Sequence, residues 1–203
     1  RMFNDTLIEL ARRIPDGEHD IRVGDDEQRI RIQGIQDRRA LIDRLIKSFK
    51  YRDPATRLPE AEGLARALGV SLPDDLMLST DQLRAFHRSS GIEIGGHTHS
   101  HPILAQMSDM DAEAEIRAGK ENLENLLQAP IRAFAYPNGR PVRDYTAAHA
   151  ESVKRCGFEF ALTTHPSAAT ASDDLYELPR YAPWEANPIG FTLRMLRTLA
   201  AAR

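Results

Sequence analysis

The sequence predicts an α/β fold built on a parallel sheet, and three observations predict it. From residue 80 onward, helical and strand patterns alternate. The loops between them have the length that parallel connections need. The residues with reactive side chains then collect at the ends of the predicted strands, where folds of this class place their chemistry. Those ends are Gly95-Gly96-His97, Tyr136-Pro137-Asn138-Gly139 and Thr164-His165.

The elements follow in order. Phe3, Leu7, Ile8, Leu10, Ala11 and Ile14 recur at helical spacing, ended by Pro15-Asp16-Gly17. Ile21-Arg22-Val23 and Ile30-Arg31-Ile32 alternate apolar and polar residues around Gly24-Asp25-Asp26-Glu27, which reads as a hairpin. Asp37 begins a helix with Leu41, Ile42, Leu45, Ile46 and Phe49 on one side, and a further helix runs from Glu60 to Leu68, capped at Gly69. Ser79 or Thr80 caps a helix reaching Ser90-Gly91. The short run Ile92-Glu93-Ile94 leads into the first strand end. Ser108 or Asp109 starts a long helix, Met110 to Gln128, stopped by Pro130. Ile131 to Tyr136 is a strand, Arg143 to Arg155 a helix, Phe158 to Thr164 a strand, and Ile189 to Ala200 a last helix.

Composition narrows the function. The chain has 203 residues, 41% apolar and 28% charged, with a net charge of −3. That suits one domain, or one large piece of one, and not a disordered tail. A near-neutral balance argues against a nucleic-acid binder. The single cysteine, Cys156, excludes an internal disulfide and a cysteine-based zinc finger; it reads as a packing residue. No apolar run is long enough to span a bilayer, and the first residues hold no signal-peptide pattern. Met2 follows Arg1, so the chain is expected to be either a fragment or truncated form, or else a natural inactive form.

Three of the seven histidines, His97, His99 and His101, fall within five residues. Neutral imidazole is a common ligand of divalent transition metals. In a helical turn His97 and His101 share a face, about 6 Å apart; in an extended loop all three share a side. Pro102 disfavours helical geometry at His101. Gly95 and Gly96 let the backbone bend off the strand. A catalytic zinc takes three protein ligands and leaves one position open, so a further ligand is expected from elsewhere. His149 is expected on a helix surface and is a poor candidate, as are His19 and His87.

Met77 to Leu83 and Gly91 to Leu104, containing His97-Thr98-His99-Ser100-His101, closely resemble the polysaccharide deacetylase family, the NodB-like carbohydrate esterases. The family's motif His-(Ser/Thr)-x-x-His fits here. Glu115-Ile116, Phe134-Ala135-Tyr136-Pro137-Asn138-Gly139, Gly157-Phe158 through Thr163-Thr164, and Leu178-Pro179-Arg180 follow in the family's order. The resemblance covers residues 75–182 and implies part of a distorted (β/α) barrel. It makes 75–203 the C-terminal part of the catalytic domain and 1–74 a variable helical and hairpin insertion of the same domain. The family's first motif, a Thr-Phe-Asp-Asp-Gly-like strand end supplying the base and third metal ligand, has no match; Gly24-Asp25-Asp26-Glu27 reads as a turn.

The resemblance implies metal-dependent hydrolysis of N-acetyl or O-acetyl groups on a polysaccharide or oligosaccharide, exopolysaccharide among them. His97 and His101 are the implied ligands of a divalent ion, zinc first, with Thr98 and His99 behind them. The Asn138 backbone N–H is the implied oxyanion donor. His165 is a candidate general acid, or else a loop or sugar contact. Arg180 either orients an acidic group or forms a structural ion pair. Tyr136 and Pro137 are candidate substrate contacts; Trp184 and Tyr181 form either a wall for a sugar face or part of the core. Two other readings compete. One is an inactive carbohydrate-binding or scaffold module. The other is an amidohydrolase or PHP-type metal hydrolase using His97-x-His99 or His99-x-His101, which needs more downstream ligands than His149 and His165 supply. The compartment, cytoplasm or exported, stays open.

Overall fold

A computed structural model describes residues 2–23, 26–181 and 185–201. The expected turn at Gly24-Asp25 and the candidate Trp184 lie outside the described residues. The chain divides into two compact units, Arg1–Ser79 and Thr80–Arg203. No helix among the described residues is long and apolar enough to cross a membrane.

The first unit packs helices on a hairpin. Helix α1 (Phe3–Arg13) buries Phe3, Leu7, Leu10 and Ala11. Strands β1 (Gly17–Val23) and β2 (Asp26–Ile32) pair antiparallel and turn Ile21 and Ile32 inward. Helix α2 (Ile35–Phe49) adds Leu41, Leu45 and Phe49, and α3 (Pro54–Ala67) adds Ala61, Leu64 and Ala65. Helix α3 begins before the expected Glu60 because Asp53 accepts the Ala55 N–H at 2.9 Å and Pro54 fits the first helical turn.

The second unit carries the parallel sheet. Helix α4 (Thr80–Arg88) precedes the glycine pair. The expected strand at Ile92–Ile94 does not form; pairing is confined to Gly96, which bridges Phe134 in parallel. Space explains the two glycines: a β-carbon on Gly96 would stand 2.8 Å from the Phe158 ring, and one on Gly95 3.2 Å from the Ala133 oxygen. Helix α5 (Asp109–Leu127) starts at Ser108, whose hydroxyl accepts the Asp111 N–H at 3.2 Å. Strands β3 (Ala133–Ala135) and β4 (Phe160–Leu162) pair in parallel, and Leu162 bridges Leu178, again in parallel. The spatial order is therefore Gly96, β3, β4, Leu178.

Helix α6 (Ala147–Arg155) begins later than the expected Arg143. Residues 140–144 instead close a turn: the Asp144 N–H donates to the Arg140 carbonyl at 2.9 Å, and its carboxylate accepts the Arg140 N–H at 3.1 Å. Phe134, Tyr136, Tyr145, Val153 and Phe158 fill the core with Leu104 and Ile116. Lys120 ties α5 to this sheet, donating to the carbonyls of Ile131 at 3.0 Å and Gly157 at 2.6 Å. Cys156 is buried, and burial pushes its thiol pKa up. Helix α7 (Pro188–Ala201) ends the described chain.

Candidate metal centre

The site forms where the chain leaves Gly96 and β3. The Gly96 N–H donates to Ala133 and the Ala135 N–H donates to Gly96, at 2.8 and 2.9 Å. This pairing sets His97 beside the end of β3, and its Nδ1 meets the Ala135 carbonyl at 2.6 Å. A carbonyl only accepts, so Nδ1 carries the proton and Nε2 the lone pair. The His101 ring stands edge-on to His97, with centroids 4.8 Å apart. Desolvation is the main cause that lowers the His97 pKa; the Ala135 bond opposes it, and the charge of Arg180 lowers it further. The Ala135 bond fixes the ring, while desolvation and the Arg180 charge favour its neutral form.

The loop between the two rings is neither the helical turn nor the extended run. Thr98 has φ +65° and His101 φ +59°, left-handed values that cost about 1–3 kcal/mol in non-glycine residues. Thr98 Oγ1 donates to the His97 carbonyl at 2.5 Å and accepts the His101 N–H at 3.1 Å. Glu115 of α5 accepts the N–H groups of His99 and Ser100 at 3.0 and 2.8 Å, and the Ser100 hydroxyl at 2.9 Å. His99 is drawn to α5 by Asn122, whose amide donates to its Nδ1 at 3.0 Å. Sequence reasoning missed Glu115, Gly119 and Asn122 as partners of this loop. A glycine inside a helix costs about 1 kcal/mol against alanine, so Gly119 was the available signal of a close approach.

The second loop, Pro137-Asn138-Gly139, abuts the end of β4. Asn138 has φ +60°, its carbonyl accepts the Thr164 hydroxyl at 2.8 Å, and among the described residues nothing accepts its N–H. The Thr164 N–H donates to Gly139 at 2.8 Å. His165 is exposed, and its carbonyl accepts the Arg180 N–H at 2.9 Å, which joins these two residues at one edge.

Two expectations need correction. Tyr136 is only 1% exposed, stacks on Tyr145 at 3.8 Å and gives its hydroxyl to the Tyr176 carbonyl at 2.8 Å. Pro137 is buried as well. The Tyr136 and Pro137 side chains therefore belong to the core and present no face to a substrate. His149 is likewise not a surface residue: it is 2% exposed, and its Nδ1 accepts the Thr146 N–H at 3.0 Å to cap α6. Tyr181 packs on Phe191 of α7 at 6.1 Å.

His97 and His101 fit a divalent metal as two of its ligands: the rings are close, and His97 is locked in the coordinating tautomer. Among the described residues no group of three or more His, Cys, Asp or Glu stands together to complete the set.

Comparison with known proteins gives similarities of sequence and fold. Residues 69–161 match the model of the polysaccharide deacetylase family. YxkH of Bacillus subtilis (strain 168), named for polysaccharide deacetylation, is 25% identical over 113 residues, 56% of this chain and 39% of YxkH. The Streptococcus pyogenes deacetylase PplD, solved in complex with acetate, is 26% identical with a TM-score of 0.52, covering 62% of this chain and 52% of PplD. A polysaccharide deacetylase from Bacillus cereus shares the fold at 22% identity and a TM-score of 0.50, covering 64% of this chain and 38% of its own. The chain thus spans about half or less of each relative's length.

Proposed function

Because residues 69–161 match the model of the polysaccharide deacetylase family, we propose that this chain forms part of a metal-dependent enzyme that removes N-acetyl or O-acetyl groups from a polysaccharide or oligosaccharide. The observation that carries this reading is the His97 Nδ1 bond to the Ala135 carbonyl, 2.6 Å, beside the His101 ring. That bond leaves the lone pair of His97 on Nε2 for one ion, zinc in the first instance, with the His101 ring beside it. The four parallel members would be part of a distorted (β/α) barrel, with 75–203 as the C-terminal part of the catalytic domain and 1–74 as an insertion. The reading assigns the third ligand and the base to the family's acidic first motif, which this sequence does not contain.

A bound ion would supply Lewis acidity toward water and the acetyl carbonyl. The chain's own groups do the rest. The Asn138 N–H, held outward by the strained loop that Thr164 pins, donates to the oxygen that becomes negative. His165 hands a proton to the leaving nitrogen. Arg180, whose charge reaches His97, favours the neutral imidazole and attracts acidic groups of the sugar or of the first motif. Thr98 and His99 support the ligands from behind.

Acetate release from chito-oligosaccharide by the intact natural protein, with zinc and after chelation, tests this. Zinc-dependent release that His97→Ala abolishes is expected. Release that survives His97→Ala removes this residue from the metal site; sugar binding with no release marks the inactive binding module instead.

A further inference from the structure

Glu115, Gly119 and Asn122 lie four and three residues apart, the spacing that puts side chains on one face of a helix. Each meets the loop from His97 to His101. Glu115 takes the N–H groups of His99 and Ser100. Gly119 lets the Thr98 backbone lie against α5 without a side chain between them. Asn122 holds the His99 ring. On the same helix, Ala112 and Ile116 face the core.

We propose that this stripe of α5 is the positioning surface that holds His97 and His101 at ligating distance, with Glu115 as its main residue. The proposal rests on reading those two histidines as metal ligands. The physics is that of an anion in a nest. With Thr98 in the left-handed region, the N–H groups of His99 and Ser100 converge on one point, and such a concavity binds a negative group. The Glu115 carboxylate is that group, and its hydrogen bonds are charge-assisted. Take it away and two converging N–H groups lose their acceptor. The left-handed turns at Thr98 and His101 then lose the contact that over-determines them. Glu115 touches neither ring. It acts on them through the backbone, so it is a positioning residue.

The experiment is amide hydrogen exchange of His99 and Ser100, read by NMR, together with zinc titration of the chain by calorimetry. Glu115→Ala should raise exchange at His99 and Ser100 and weaken zinc binding by about 10- to 100-fold, the usual effect of removing a support behind a metal ligand. Glu115→Gln keeps one acceptor oxygen and should fall between. Glu113→Gln is the control, because Glu113 on the same helix pairs instead with Arg117 and Arg155, at 2.7 and 2.6 Å. It should leave both readouts at the parent values even if it lowers stability. Unchanged exchange in Glu115→Ala overturns the proposal. If His97→Ala binds zinc as tightly as the parent, the metal reading of the site fails, and the exchange data still decide the positioning role.

Discussion

Gly119 lies beneath Thr98 so closely that a β-carbon at 119 would stand 2.6 Å from both the carbonyl carbon and the carbonyl oxygen of Thr98. The contact is with backbone, so no side-chain rotation relieves it. Gly119→Ala gains about 1 kcal/mol of helix propensity and meets an overpacking penalty of about 1–3 kcal/mol. The penalty should win. We expect net destabilisation of up to about 2 kcal/mol in urea unfolding, with displaced amide signals at Thr98 and His99. A variant more stable than the parent would show that α5 and the loop separate easily.

Lys120 is a second clamp between α5 and the sheet. Lys120→Met keeps the length of the side chain and its packing against Phe158, where the ammonium now lies 4.5 Å from the ring centre. It leaves the carbonyls of Ile131 and Gly157 without this donor. The expected loss is about 1–3 kcal/mol, measured by chemical unfolding.

The Tyr136 hydroxyl is spent on the Tyr176 carbonyl. Tyr136→Phe should therefore cost about 1 kcal/mol of stability and keep the ring stacked on Tyr145. Sugar affinity, measured by calorimetry, should not change. A loss of affinity with unchanged stability would return Tyr136 to the list of substrate contacts.

His149 makes stability depend on pH. Burial is the main cause holding its pKa below the ordinary value of 6.5, and Asp109, whose carboxylate faces Nε2 at 3.5 Å, works in the opposite direction. The unfolded chain then binds a proton more readily than the folded one, so acid favours unfolding. The contribution is fully present above about pH 6.5 and is lost as the pH falls from there toward the lower folded pKa. His149→Gln stays neutral and keeps an acceptor for the Thr146 N–H. Its unfolding midpoint should fall less steeply between pH 7.5 and 5.5 than the parent's, and equal slopes would assign the dependence to other groups.

The sequence made the α/β class legible because α1 and α2 carry clear apolar periodicity and because the glycine, proline and histidine punctuation marks the strand ends. The His97–His101 pair was legible for the same reason, since unusual residue types at close spacing stand out. The missed features share a different physics. Gly96 pairs through single backbone groups, which leave no two-residue alternation at Ile92–Ile94. His149 was misplaced because a cap at Thr146 starts α6 four residues after the expected Arg143 and folds the ring inward. The grip of α5 on the histidine loop runs from Glu115 to main-chain N–H groups, and such groups have no letter in a sequence.

The partner of His97 Nδ1 is likewise main chain, the oxygen of Ala135. Every amino acid supplies that oxygen. Substitution at 135 can change bulk or charge there, yet it leaves the acceptor in place as long as β3 holds its course beside Gly96. The ring orientation is thus inherited from strand pairing and buffered against mutation at the very position that orients it. Substitution at residue 135 can therefore leave the tautomer of His97 unchanged, whereas substitution at the neighbours packed around the strand, Gly96, Phe134 and Phe158, can disturb it.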